Sequence, residues 1–372
     1  MRWLMLLTLL IVAPPAVGRT EPAAPSVPTR VEVVASGLNH PWSLAFLPDG
    51  SVLVTERNGG LRRIRNGRMT RIEGVPPVLN QGQGGLFDVL PDPDFERTGV
   101  IYLSYAHGTR RANGTRVARA ALSGDRITDV DVIYTATPLK RGSVHFGGRM
   151  LFLPDNTLLV TTGDGFDFRE KAQDLLSPLG KILRLDRRGR VPLDNPMARR
   201  TDALGAIWSY GHRNPQGLAW DPVRRVVYAH EHGPRGGDEV NLIVATGNYG
   251  WPIATHGLDY SGATISPFTE YPGMAGPLLH WTPSIAPSGL AVYRGAMFPE
   301  WTGDLLVGAL VTREVRRVRL SPEGNVLGQE SLFRHLGERI RDVRVAPDGA
   351  VWLTTDSPDG KVLRVSRAGQ PG

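Results

Sequence analysis

Short apolar runs recur along the chain, each broken by a Pro-Asp-Gly or glycine-containing turn. The segment WSLAFLPDGSVLVTERNGGLRRIR, from Trp42, reads as apolar strand, tight turn, apolar strand, glycine turn and third strand. The same form returns from Gly84 (GGLFDVLPDPDFERTGVIYLSYA), Gly147 (GGRMLFLPDNTLLVTTGDG), Gln216 (QGLAWDPVRRVVYAHEHGP), Ser288 (SGLAVYRGAMFPEWTGDLLVGAL) and Arg341 (RDVRVAPDGAVWLTTDSPDGKVLRV). These six copies are spaced by roughly 40 to 70 residues, so loops are inserted between some strands. Each copy can bury its apolar faces only against neighbours. That predicts an all-β fold, a six-bladed β-propeller with four-stranded antiparallel blades. The strand pattern VEVVAS from Val31 precedes the first full unit, and the last unit ends at the C-terminus. The N-terminal strand is therefore expected to complete the last blade, removing two exposed edges. Two stacked β-sandwiches would not explain six similar units.

The longest inserts run from Thr137 to Phe146, Phe166 to Leu179, Val191 to Leu204 and Trp251 to Pro287. Loops of this length in compact proteins are often functional, and the face they project from would carry a pocket. Composition agrees with many tight turns: 44 Gly and 30 Pro in 372 residues.

The first residues, MRWLMLLTLLIVAPPAVG, have a basic start at Arg2, an apolar stretch over Leu4 to Ala13 and small residues at Ala16 and Gly18. This reads as a secretory leader over 1–18, too short for a membrane span. A flexible linker at 19–29, a single propeller domain at 30–368 and a tail at 369–372 follow. The expected mature protein is soluble and periplasmic or secreted. The chain has no cysteine, which excludes disulfides and thiolate metal sites. The formal charge of +7 is spread over scattered arginine pairs such as Arg62-Arg63 and Arg316-Arg317. Such scatter describes a solvated basic surface, and no nucleic-acid partner is expected.

Candidate chemistry concentrates between Gly211 and Pro252, GHRNPQGLAWDPVRRVVYAHEHGPRGGDEVNLIVATGNYGWP. The pair His230 and His232 lacks a third placed ligand for zinc. Carbonyls at Gly233 and Pro234, with carboxylates at Asp238 and Glu239, suit a hard cation such as calcium; a solvated acidic loop reads equally well. His145, in SVHFGGRM, suits a general base near neutral pH or a histidine bonded within a turn. Asp164, in VTTGDG, is placed to orient that histidine or simply to make a turn. Gln83 offers an amide among glycines, and Arg213, Arg339 and Arg341 are candidate cations for an anionic ligand. Arg339 and Arg341 alternate on a strand and so share a face.

Together the motifs GQGGLFDVLPDPDF, HFGGRM, TTGDG, GKILRLD, GHRNPQGLAW, EHGPRGGDEVNLI, NYGWP and RIRDVRVAPDG resemble the soluble pyrroloquinoline quinone (PQQ)-dependent sugar dehydrogenases, from about Leu38 to Val365 and in family order. The resemblance implies a six-bladed propeller with PQQ on its top face. It implies that His145 takes the proton of the sugar's anomeric hydroxyl as hydride passes to the quinone, that Asp164 supports His145, and that Arg213 polarises the quinone oxygen. Gln83, Arg213, Asn214, Tyr260, Arg339 and Arg341 would hold the cofactor. Gly233 and Pro234 would ligate a Ca2+ ion beside it, and Glu239 and Tyr249 a second, structural calcium. Where the family has a lysine, this chain has Val311, with Arg313 two residues on as its substitute. Trp281 is the candidate aromatic partner of the ring. The implied partners are an aldose sugar and a soluble or membrane electron acceptor, for a monomer or homodimer. A calcium-dependent lactone hydrolase would instead want carboxylates and asparagines converging on a central metal. A non-enzymatic binding propeller is the third reading.

Overall fold

The computed structural model describes residues 27–369. The leader expected at 1–18, most of the linker expected at 19–29 and residues 370–372 lie outside the described residues. Among the described residues, the strands form six four-stranded antiparallel sheets arranged as the blades of a propeller. From the axis outward, blade one is Pro41–Phe46, Val52–Glu56, Leu61–Arg65 and Arg68–Arg71. Blade two is Leu86–Pro91, Val100–Thr109, Ala112–Ser123 and Arg126–Thr135. Blade three is Met150–Phe152, Leu158–Thr162, Lys181–Leu185 and Ile207–Tyr210. Blade four is Pro215–Asp221, Val226–Glu231, Asp238–Ile243 and Leu279–Trp281. Blade five is Pro287–Val292, Leu305–Ala309, Glu314–Leu320 and Val326–Leu332. Blade six is Ile340–Val345, Val351–Thr355, Gly360–Arg367 and, outermost, the N-terminal strand Thr29–Leu38. That last pairing runs from Thr29 opposite Arg367 to Leu38 opposite Gly360 and closes the ring as the repeat order predicts.

Burial follows from this stacking. Central strands such as Val52–Glu56, Leu158–Thr162 and Leu305–Ala309 are buried at every position, because both faces of a blade meet a neighbour. The outermost strand Val326–Leu332 instead alternates between half-buried and exposed positions. Apolar clusters fill the six interfaces between adjacent blades. Leu53 meets Leu86 and Ile101 between blades one and two, and Leu44 meets Leu38 and Val362 where blade six closes on blade one. The Pro-Asp turns work as their residues predict. Asp49 Oδ1 accepts the Ser51 amide at 2.9 Å, and Asp155 and Asp348 do the same for Thr157 and Ala350.

The first strands of successive blades touch one another around the axis. There, three buried charges and the half-buried Arg344 interlock. Arg149 Nη1 lies 3.3 Å from Asp88 and 3.2 Å from Asp342, while Arg344 reaches the same two carboxylates at 3.1 and 2.9 Å. Asp88 also accepts the Met150 amide, and Asp342 the Leu44 amide, so blades one, two, three and six are tied at the centre. This network is the floor beneath the site.

Candidate active site

His145 ends the insert that leads into blade three, in a left-handed backbone conformation (φ 53°) that side chains rarely adopt. The glycines after it permit the approach. A Cβ on Gly147 would lie 2.7 Å from the Thr161 carbonyl, and one on Gly148 would lie 2.6 Å from the Phe87 ring. The His145 amide donates to Gln83 Oε1 at 2.8 Å. Its Nδ1 lies 2.7 Å from Asp164 Oδ1, whose other oxygen accepts Trp251 Nε1 at 2.8 Å. A carboxylate can only accept, so the neutral ring carries its proton on Nδ1 and leaves Nε2 as a lone pair. Burial pushes the imidazole below its ordinary range. Asp164 opposes that shift, whereas the charges of Arg213 and Lys140 reinforce it. Burial alone would raise the Asp164 carboxyl, but the His145 hydrogen bond and the Arg213 charge outweigh it and hold it ionised. The arrangement is a buried, oriented, neutral base.

Arg213 follows the third blade, with its guanidinium directed across the face. Nη1 donates to the Gly233 carbonyl at 2.5 Å and the His232 carbonyl at 3.2 Å, and Nη2 lies 3.4 Å from the Tyr260 hydroxyl. Asn214 is buried, and its Oδ1 accepts the Gly147 amide at 3.1 Å and Gln216 Nε2 at 3.2 Å, linking blade four to the His145 loop. Beside His145 lies a cavity of about 260 Å³ lined by Gln83, Asn214, Arg339, Arg341 and also Trp42, Arg57 and Asp356. Two further depressions adjoin it. One holds Phe166, Arg213, Pro234, Trp251 and Tyr260; the other Gly233, Pro234, Tyr260 and Val311. Arg339 and Arg341 do share a face, both reaching Asp356, at 3.3 and 2.8 Å.

Not every expected residue joins the group. The Arg313 side chain turns to the Gly337 carbonyl at 3.2 Å and lines none of these cavities, while Val311 does line one. Trp281 is buried between blades four and five with its Nε1 on Gln329, away from the cavities, because it sits on an outermost strand. Of the four long inserts, Val191 to Leu204 supplies no lining residue.

The chemistry of the lining fits an anionic ring. Three guanidinium groups, Arg57, Arg339 and Arg341, face one cavity carboxylate, Asp356. Burial opposes ionisation of Asp356, yet the adjacent Arg341 holds its carboxyl well below the usual range. Of the two expected calcium ligands, the Gly233 carbonyl accepts Arg213 Nη1, as does the neighbouring His232 carbonyl. Farther out, Glu239 stands opposite Glu231 in the blade-four ladder. Burial and the Glu231 charge push it up to about 8. The neighbouring Asn241 Oδ1 is buried without a hydrogen bond, so this oxygen cluster would be relieved by a cation. The Tyr249 hydroxyl is occupied, donating to the Leu242 carbonyl at 2.6 Å and accepting the Val244 amide, which leaves its main-chain carbonyl as the available ligand.

Trp42, Arg57, Trp251, Phe166 and Asp356 were not anticipated from sequence. A signal existed: the site is built from the residues just before the first strand and just after the second strand of successive units. Gln83, His145 and Arg339 occupy the former, and Arg57, Asp164 and Asp356 the latter.

The fold defines a six-bladed β-propeller class. Residues 38–364 match the Glucose / Sorbosone dehydrogenase family model, and the chain belongs to that family. It is 41% identical over 354 residues to the aldose sugar dehydrogenase YliI of Escherichia coli K12, covering 92% of this chain and 94% of the relative. The crystal structure of the soluble aldose sugar dehydrogenase of Escherichia coli in its apo-form superposes with a TM-score of 0.88 at 39% identity, covering 91% of this chain and 99% of that one. The PQQ-bound form of an aldose sugar dehydrogenase from Streptomyces coelicolor gives 0.74 at 30% identity, covering 92% and 100%.

Proposed function

We propose that this chain is a PQQ- and calcium-dependent aldose dehydrogenase that oxidises sugars at the anomeric carbon to lactones and passes the electrons to a soluble or membrane acceptor. The observation that carries this reading is the His145–Asp164 pair, 2.7 Å apart, beside a cavity whose charged lining is mostly guanidinium. PQQ, when bound, supplies the hydride acceptor. Asp164 keeps the His145 proton on Nδ1, and Nε2 takes the proton of the anomeric hydroxyl. Gln83, Arg213, Asn214, Tyr260, Arg339 and Arg341 hold the cofactor, whose three carboxylates match the arginine-rich lining. The carbonyls of Gly233 and Pro234 take the catalytic calcium, and Glu239 with the Tyr249 carbonyl takes the structural one. Arg313, the expected substitute for the family lysine, would have to release the Gly337 carbonyl to reach the cofactor. The leader at 1–18 directs export to the periplasm or beyond, and the mature protein acts as a monomer or homodimer.

The axial carboxylates Asp88 and Asp342, which a metal-centred lactone hydrolase would use, are paired with Arg149 and Arg344. Product analysis separates the two chemistries. Incubation of the PQQ- and calcium-loaded protein with an aldose and a dye should yield the aldonolactone in step with dye reduction. Hydrolysis of an added lactone by calcium-loaded, PQQ-free protein, without aldose oxidation by the fully loaded protein, would overturn the reading.

A further inference from the structure

Arg57 follows directly on the second strand of blade one and faces the same cavity as Arg339 and Arg341. Its backbone is fixed on both sides: its amide donates to the His40 carbonyl at 3.1 Å, and its carbonyl accepts the Leu86 amide at 3.1 Å. Gly85 makes room for it, since a Cβ there would lie 2.1 Å from the Arg57 carbonyl oxygen and 2.5 Å from its Cγ. Arg339 and Arg341 share Asp356, at 3.3 and 2.8 Å, and His40 Nδ1 takes the other oxygen at 3.1 Å. Among the described residues, no hydrogen bond or ion pair reaches the Arg57 guanidinium. Burial pulls its pKa down; Asp356 offsets this in part, and the like charges of Arg341 and Arg339 add to it. Arginine nonetheless stays protonated. The cavity therefore holds three guanidinium charges against one carboxylate. A half-buried guanidinium facing two others without its own counter-ion is costly, and a bound carboxylate removes that cost.

We infer that Arg57 binds a carboxylate of the quinone cofactor, forming with Arg339 and Arg341 a clamp drawn from blades one and six. The inference rests on the PQQ reading given above and adds a ligand to it. A bidentate guanidinium–carboxylate contact carries both charge and orientation, so its loss weakens binding of the ring before any chemistry begins.

The test is a titration of PQQ into the calcium-loaded apoprotein, followed by calorimetry, for wild type and R57Q of matched circular dichroism and melting temperature. R57Q should bind PQQ about 10- to 100-fold more weakly, the effect of losing a charged hydrogen bond. The trimethyl ester of PQQ, which carries no carboxylate, should bind both proteins equally. Equal PQQ affinities in the two proteins would overturn the role of Arg57 while leaving the PQQ reading intact. No PQQ binding by wild type would overturn both. Should R57Q fold poorly, phenylglyoxal labelling of wild type read by mass spectrometry decides instead. PQQ should protect Arg57 from modification, and undiminished labelling in saturating PQQ would refute the assignment.

Discussion

His145 and Asp164 come from loops on either side of the first two strands of blade three and meet at 2.7 Å, both buried, with the Asp164 carboxylate also held by Trp251. The carboxylate fixes which imidazole nitrogen is free. Asp164→Asn removes the charge and permits the opposite tautomer with little change of shape. We expect kcat for aldose oxidation to fall by about 100-fold or more, with PQQ affinity nearly unchanged. Steady-state kinetics beside a cofactor titration checks this; unaltered kcat would show that Asp164 merely makes a turn.

The protonation of His145 sets a second expectation. Burial lowers its pKa below the ordinary 6.5, so the neutral, proton-accepting ring persists to lower pH than in an exposed histidine. Activity falls as pH drops and the ring takes a proton. The acidic limb of kcat/KM should therefore have its midpoint below 6.5, and the imidazole signals of the apoprotein should titrate there. Asp164→Asn, which removes the opposing carboxylate, should move that limb further down.

Glu239 behaves in the opposite sense. Its folded pKa is raised from 4.5 to about 8, first by burial and then by Glu231, so the folded protein resists an ionisation that the unfolded chain undergoes freely. Its contribution is fully present below pH 4.5 and is lost as pH rises through about 8. Without calcium, the melting temperature should decline over that window, and Glu239→Gln should flatten the decline. Added calcium should raise the wild-type melting temperature at pH 8 more than that of Glu239→Gln.

At the axis, Arg149 is the shared partner of Asp88 and Asp342, with its guanidinium 4.3 Å above the centre of the Trp42 ring. Arg149→Ala leaves buried carboxylates short of a counter-charge beneath the cavity. Chemical denaturation should show a loss of about 3–5 kcal/mol. A loss below about 1 kcal/mol would mean that Arg344 suffices.

The propeller was readable because each unit repeats a local pattern, apolar strand, Pro-Asp turn and apolar strand, that local physics enforces. Closure by Thr29–Leu38 was readable for the same reason, as a strand left over at one end. The site was readable where a motif is dense, as around His145 and Arg213. Arg57 and Asp356 escaped notice because neither has a telling neighbour: they are 299 positions apart (356 − 57) and meet only when the ring closes. Trp281 lies apart from the expected ring site because its strand is the outermost of its blade, which sequence does not reveal. Arg313 illustrates the same limit, since its backbone at φ 53° turns the side chain toward Gly337.

The most direct test loads wild type and His145→Ala with PQQ and calcium and measures aldose-dependent dye reduction together with bound PQQ. Wild type should reduce dye only when both are supplied. The variant should bind PQQ as wild type does, yet turn over about 10²- to 10⁴-fold more slowly. Absence of PQQ-dependent dye reduction in wild type, or near-normal turnover in the variant, would contradict the account.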